Sequence, residues 1–177
     1  MTLDKATRDA ILGTVPSLRA FAVSLCGNLD RADDLVQETL TRALANIDSF
    51  RPGTNMAAWL FTILRNQFRS EYRKRRREVE DAEGTHAQSL QAPPEQMSRV
   101  EFEELRQALS KLPDDQREAL ILVGASGFSY EEAANICGCA VGTIKSRVNR
   151  ARTHLAQLMS ISEEDVPRAP TASSDAA

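Results

Sequence analysis

The stretch Ser129-Tyr-Glu-Glu-Ala-Ala-Asn-Ile-Cys-Gly-Cys-Ala-Val-Gly-Thr-Ile-Lys-Ser-Arg-Val-Asn-Arg-Ala-Arg-Thr-His-Leu-Ala-Gln157 decides the fold. It reads as helix, tight turn, helix. Ser129 followed three residues later by Glu132 makes a capping box, each side chain satisfying an orphan amide at the helix start. Gly138 can take the left-handed backbone that a sharp helix exit requires. Small Ala133 and Ala134 let a second helix cross closely. From Ile144 onward the apolar residues recur at helical spacing, through Val148, Ala151, Leu155 and Leu158. The opposite face carries Lys145, Asn149 and Arg152, with Ser146 and Arg150 beside it. A short helix, a glycine turn and a cation-studded second helix predict a DNA-binding helix-turn-helix whose second helix enters the major groove. The plainer alternative is a helical hairpin with a solvated basic face.

Around that stretch, 177 residues with 42% hydrophobic content suit one or two small packed domains. Few β-branched runs alternate, and the long periodic segments all favour helix, so the expected class is all-α. No unbroken run of 18 apolar residues occurs, which predicts no membrane span. Asp4 and Asp9, with no apolar segment between charged flanks, predict no signal peptide, and a cytoplasmic location is expected. Three cysteines argue against a disulfide framework. Cys137 and Cys139 with the distant His86 and His154 do not match four convergent zinc ligands, so Cys26 and Cys137 are read as small core residues and no metal is expected.

The net charge of -3 hides a segregation. Residues 65–77 hold seven cations, Arg65, Arg69, Arg73, Lys74, Arg75, Arg76 and Arg77, against the single acid Glu71. The six residues after them contain four acids, Glu78, Glu80, Asp81 and Glu83. Lys145, Arg147, Arg150 and Arg152 form a second basic cluster with no acid among them. A basic run alone is usually a solvated face. Two such patches on an acidic chain point to two contacts with a polyanion.

In chain order, residues 5–26 read as an amphipathic helix carrying Ile11, Leu12, Val15, Leu18, Phe21, Ala22 and Leu25, divided in two by Pro16. Asp30 is expected to cap a new helix, with Asp33 at its third position, that buries Leu35, Val36, Leu40, Ala43, Leu44 and Ile47. Its polar side presents Asp34, Gln37 and Glu38 on one face; chemistry alone makes this triad surface decoration. Residues 50–55 form a loop by the Pro52-Gly53 pair. A long helix over 56–77 turns Trp59, Leu60, Ile63, Leu64 and Phe68 inward and its arginines outward. Residues 79–96 have linker composition. A second helical unit begins near Met97 with Val100, Phe102, Leu105, Ala108, Leu109 and Leu112, and ends at Pro113. Asp114 or Asp115 is expected to cap the next helix, which buries Ala119, Leu120, Leu122 and Val123 before Gly124 to Gly127 release the chain. The tail 162–177 is expected to be disordered.

Catalytic signatures are missing from the sequence. There is no G-x-x-x-x-G-K-[ST] loop, no H-E-x-x-H and no G-x-S-x-G, and acids fall on exposed faces where they would not be desolvated. The chain is read as a non-enzyme without a cofactor.

Four motifs in order resemble a known family: Asp-Asp-Leu-Val-Gln-Glu-Thr-Leu-x-Arg-Ala-Leu at 33–44, Ala-Ala-Trp-Leu-Phe-Thr-Ile-Leu-Arg-Asn at 57–66, Leu-Pro-x-x-x-Arg-Glu-Ala-Leu at 112–120 and Gly-Thr-Ile-Lys-Ser-Arg-Val-x-Arg-Ala-Arg at 142–152. Over residues 8–160 the chain resembles a two-domain bacterial sigma factor of the extracytoplasmic-function (ECF) group. Residues 68–78 and 134–143 are similar to the general-stress-response (EcfG) type of alphaproteobacteria. The resemblance implies two small helical domains, region 2 at 1–78 and region 4 with its helix-turn-helix at 97–161, joined by a flexible linker at 79–96.

It also implies roles. Asp34, Gln37 and Glu38 match the contact with the clamp of core RNA polymerase, which replaces the surface-decoration reading. Pro52, Gly53, Thr54, Asn55 and Met56, with Asn66 behind them, match the part that captures a flipped base of the −10 element, a step that costs a few kcal/mol and needs a rewarding pocket. Arg65, Arg69, Arg73, Lys74, Arg75 and Arg76 would grip phosphates of the opening promoter DNA. Thr143, Lys145, Ser146, Arg147, Asn149, Arg150 and Arg152 would read the −35 element. The linker matches a segment threaded through polymerase. A NepR-type anti-sigma factor, released by a PhyR-type response regulator, is the implied inhibitor. Cys139-Ala140 stands where a Ser and Pro are frequent, so the recognition helix looks weakly capped. Two rival readings are a helix-turn-helix regulator independent of core polymerase and a sigma mimic that only sequesters an anti-sigma factor.

Overall fold

A computed structural model describes residues 3–80 and 99–159, with side chains over 3–78 and 103–159. Helix α1 spans Lys5–Cys26: Asp4 accepts from the Thr7 amide at 2.9 Å to start it, and Gly27, at φ 66°, ends it. Pro16 does not divide α1 as expected. A proline inside a helix costs about 3 kcal/mol, but Pro16 lies on the solvent side, next to the 60% exposed Leu12. Burial of Leu18, Phe21 and Ala22, none of them exposed, offsets that cost. By length and composition α1 could cross a membrane, although it contains no unbroken apolar run. Its apolar face is instead packed into the core against α2 and α3.

Helix α2 spans Leu29–Ala45 and is capped by Asn28, whose side chain accepts from the Arg31 amide at 3.0 Å. The expected cap, Asp30, lies in the first turn instead, where its carboxylate favours the helix dipole. Asp33 reaches across to Arg19 of α1 at 3.0 Å. Leu35, Val36 and Ala43 are buried, whereas Leu44, expected inside, is 46% exposed because it points one residue round from Ala43. A 3₁₀ turn at Ile47–Ser49 leads to the loop, and α3 runs Met56–Glu80. Val79 and Glu80, expected in the linker, therefore continue the helix. The rest of the expected linker, Met97 and the expected tail lie outside the described residues.

Helix α4 spans Arg99–Lys111 and α5 spans Asp114–Leu120. Pro113 takes the N-cap position of α5, so neither Asp114 nor Asp115 caps it and both sit in its first turn. A π-helical turn, Ile121–Ala125, follows and Gly127 leaves it at φ 76°. Helix α6, Tyr130–Cys137, begins with the complete Ser129–Glu132 capping box and ends at Gly138 with φ 65°. Helix α7, Val141–Leu158, starts at Ala140 without a side-chain cap, as the sequence implied. Ile144, Val148 and Ala151 are buried in α7, Leu155 is half-buried, and Leu158 is exposed while Ala156 turns inward.

The two helical units pack on each other. Phe21 of α1 stacks on Phe61 of α3 at 5.0 Å, and Phe61 meets Phe128, before α6, edge-on at 4.8 Å. The core thus continues from α1–α3 into the helix-turn-helix unit. No strand occurs among the described residues.

A candidate nucleic-acid and partner interface

Three surfaces carry the residues singled out in the sequence. On α2, Asp34, Gln37 and Glu38 are all exposed, and Glu38 accepts from Arg42 at 2.9 Å. Beside them a groove is lined by Asp34, Glu38, Arg42, Gln67 and Arg75. Gln67 is 5% exposed; its amide nitrogen donates to Glu71 while its Oε1 has no partner. This face can receive a partner through acceptors held at helical spacing.

The second surface is the loop and outer face of α3. Pro52, Gly53, Thr54 and Asn55 are exposed, Gly53 has φ 85°, and the Thr54 hydroxyl donates to the Arg51 carbonyl at 2.7 Å. Asn55 accepts from the Ala58 amide at 3.2 Å, so it also caps α3. Met56 is buried and faces the core rather than an open pocket. Asn66 is not behind this loop. Ten residues along α3 at 1.5 Å each put it roughly 15 Å from Met56, in a cleft shared with Arg65, Arg69, Arg73, Asp114 and Glu118. Arg73, Lys74, Arg75 and Arg76 are exposed, and Arg75 approaches Glu71 only to 4.0 Å.

Arg65 departs from the outward orientation expected of it. It is 6% exposed and donates from Nε to Glu118 Oε1 at 2.6 Å and from Nη2 to Oε2 at 3.4 Å. Arg69 donates to the same Oε2 at 3.0 Å. Glu118, 2% exposed, belongs to the second unit and was not singled out in the sequence. Only the basic run itself could have hinted that a buried acid must answer it.

The third surface is the outer face of α7. Thr143, Lys145, Ser146, Asn149 and Arg150 are exposed, and Arg152 is half-buried. Lys145 Nζ lies 5.7 Å from the Tyr130 ring centre, a cation–π distance that steadies its long side chain. The Ser146 hydroxyl donates back to the Gly142 carbonyl at 3.0 Å. Arg147 instead turns toward α5, with Nε 3.2 Å from Asp115 and Nη1 3.8 Å from the Cys139 sulfur. Cys137 is buried, and desolvation pushes its thiol up to about 12. Among the described residues no three His, Cys, Asp or Glu side chains converge as a metal site would need.

Comparison with known proteins identifies the architecture. Residues 12–78 match sigma-70 region 2 and residues 102–155 match sigma-70 region 4. The chain is 74% identical to the ECF RNA polymerase sigma factor EcfG of Rhodopseudomonas palustris, over 90% of this chain and 88% of that one. A solved structure of the sigma factor RpoE in complex with the anti-sigma factor NepR, from Bartonella quintana, matches with a TM-score of 0.83 and 53% identity, over 89% of this chain and 99% of that one. CnrH, solved in complex with the cytosolic domain of CnrY, matches with a TM-score of 0.66 and 29% identity, over 88% of both chains. The capped helix-turn-helix, the basic α3 and the acidic face of α2 are therefore parts of one known design: the chain belongs to the sigma-70 family, as an RNA polymerase sigma factor of the extracytoplasmic-function group.

Proposed function

We propose that the chain joins core RNA polymerase through Asp34, Gln37 and Glu38, reads the −35 element with the exposed face of α7, and holds the melting −10 region with the loop at 52–56 and the basic face of α3. The observation that carries this reading is the outer face of α7: Lys145, Asn149 and Arg150 are exposed together on the second helix of a helix-turn-helix whose first helix carries a complete capping box. Arg and Asn are the side chains that pair bidentately with guanine and adenine edges. Arg73, Lys74, Arg75 and Arg76, exposed on α3, suit phosphates rather than bases. Region 2 then covers 1–78, with the end of α3 running on to Glu80, the linker follows up to 96, region 4 covers 97–161 and the tail 162–177. The protein performs no chemistry of its own and works in the cytoplasm, on genes of a stress response. A NepR-type anti-sigma factor holds it inactive and a PhyR-type regulator removes that inhibitor by imitating the sigma fold. Support for the inhibitor is the likeness, across both units, to the relative solved with NepR.

Run-off transcription with purified core polymerase tests the reading. Promoters drawn from the host genome should yield defined transcripts only when the chain is added. Sequence-specific binding by the chain with no association with core would favour a regulator independent of polymerase. Association with an anti-sigma factor but no promoter-directed transcript would favour a sequestering mimic.

A further inference from the structure

Among the described residues, Arg65 and Glu118 are the buried members of the Asp, Glu, Lys and Arg set, and they face each other across the contact between the two units. The acids of α5, Asp115 in its first turn and Glu118 one turn on, touch both basic surfaces at once. Glu118 takes Arg65 and Arg69 from α3, while Asp115 takes Arg147 from α7. Asp114 and Asp115 line the same cleft of about 640 Å³ as Arg69 and Arg73.

We infer that this acidic side of α5 is an internal stand-in for DNA phosphate, with Glu118 as the bolt that holds the free chain closed, buries Arg65 away from DNA and ties the still-exposed Arg69 to the same carboxylate. The inference rests on the reading of α3 as a phosphate-gripping surface. A carboxylate presents two anionic oxygens to guanidinium donors much as a phosphate does, and both Glu118 oxygens are taken. The closed contact has two further ties. Asn55 of the −10 loop donates to Glu132 at the start of α6 at 2.8 Å, and Phe61 meets Phe128. DNA therefore reaches Arg65 only after the units part.

A buried ion pair adds little net stability, because desolvation of both charges cancels most of their attraction; removal of one partner is strongly unfavourable, because the other stays buried without a counter-charge. Glu118→Gln does this in the closed state alone. In the open state Arg65 is solvated and the substitution costs little. One change thus shifts the balance toward the open form and adds no contact to DNA.

The test uses the full chain without polymerase and a fluorescent duplex oligonucleotide of random sequence at low salt. Glu118→Gln should bind about tenfold more tightly than the parent, as expected when a binding-competent minority form becomes the majority. Its radius of gyration in solution scattering should rise while helix content by circular dichroism stays the same. Adding Arg65→Ala and Arg69→Ala should abolish the gain. Parental affinity in Glu118→Gln, with or without a larger radius, overturns the lock. The underlying reading is tested apart from it by Arg73→Ala with Arg76→Ala, which should weaken binding in both backgrounds. If that pair changes nothing, α3 is not the DNA surface; if it weakens binding but Glu118→Gln brings no gain, only the lock fails. Should Glu118→Gln misfold, phenylglyoxal modification of the parent chain decides: Arg65 should react about tenfold more slowly than Arg73 in the free chain, and equal rates refute closure.

Discussion

The cations between residues 65 and 77 are alike in type, yet their surroundings are not. Arg65 is sealed against Glu118, Arg69 shares that carboxylate at the cleft edge, and Arg73 to Arg76 face solvent. This division was not legible in the sequence, because the acid that makes it lies 53 positions away on another helix. Legible residues were those whose placement is local, such as the exposed Lys145 and Arg150 on α7, turned away from the buried Ile144 and Val148. Arg147 departs from them, drawn aside by Asp115. Arg150→Ala should relax preference at one position of the −35 element, losing about 1–3 kcal/mol of discrimination. Arg75→Ala should weaken binding to many promoters alike and flatten its salt dependence. Selection of bound sequences from a random pool distinguishes the two, and a base preference set by Arg75 would reverse the assignment. A further residue-scale prediction concerns Cys137. With its thiol pushed up to about 12 by burial, aided by the neighbouring Glu118 carboxylate, it carries almost no thiolate at pH 8. Iodoacetamide applied to the native chain at that pH should leave Cys137 unmodified and label it only after denaturation.

Helix boundaries set by neighbours in sequence were legible, and those set by the fold were not. The Ser129–Glu132 box, the Gly138 exit and the bare start of α7 at Ala140 all appear as read. Pro16 misled because the cost of a broken hydrogen bond is local while the compensating burial of Leu18 and Phe21 is tertiary. The caps of α2 and α5 shifted by one or two residues, since Asn28 and Pro113 hold extended backbones that acids nearby could equally have held. The π-helical turn, closed by the Ser126 amide donating to the Ile121 carbonyl at 2.8 Å, has no sequence signature. Capping gives a paired prediction. Ser129→Ala removes both the hydroxyl acceptor and half of the box, and should cost about 1 kcal/mol; Ala140→Ser supplies an acceptor that α7 lacks and should return about 0.5–1 kcal/mol. Urea unfolding followed by circular dichroism measures both, with opposite shifts in midpoint expected. A stabilising Ser129→Ala would show that the box does not hold α6 in place.

At the scale of the molecule, the closed contact leaves one proposed function open and covers another. Asp34, Gln37 and Glu38 remain exposed in the closed chain, so Gln37→Ala with Glu38→Lys should weaken binding to core polymerase without loss of helix. Unchanged affinity would remove that face from the interface. The arrangement also bears on inhibition, because the likeness to the relative solved with NepR extends over 89% of this chain and so spans both units. A partner that grips both units of the closed form gains from closure, and a partner that needs them apart loses by the same amount. A single substitution that favours opening must then move the two affinities in opposite directions. We predict that Glu118→Gln weakens binding of a small anti-sigma partner and strengthens binding of promoter-loaded core polymerase, each measured by titration of the full chain. The linkage has a second consequence. Residues 1–78 and 97–177, expressed separately, should each bind the inhibitor more weakly than the intact chain, because the connection makes the second contact intramolecular. Equal affinity of one piece and the whole would reduce inhibition to the masking of a single unit. A parallel loss of both affinities in Glu118→Gln would mean that Glu118 stabilises each unit by itself and does not choose between two arrangements.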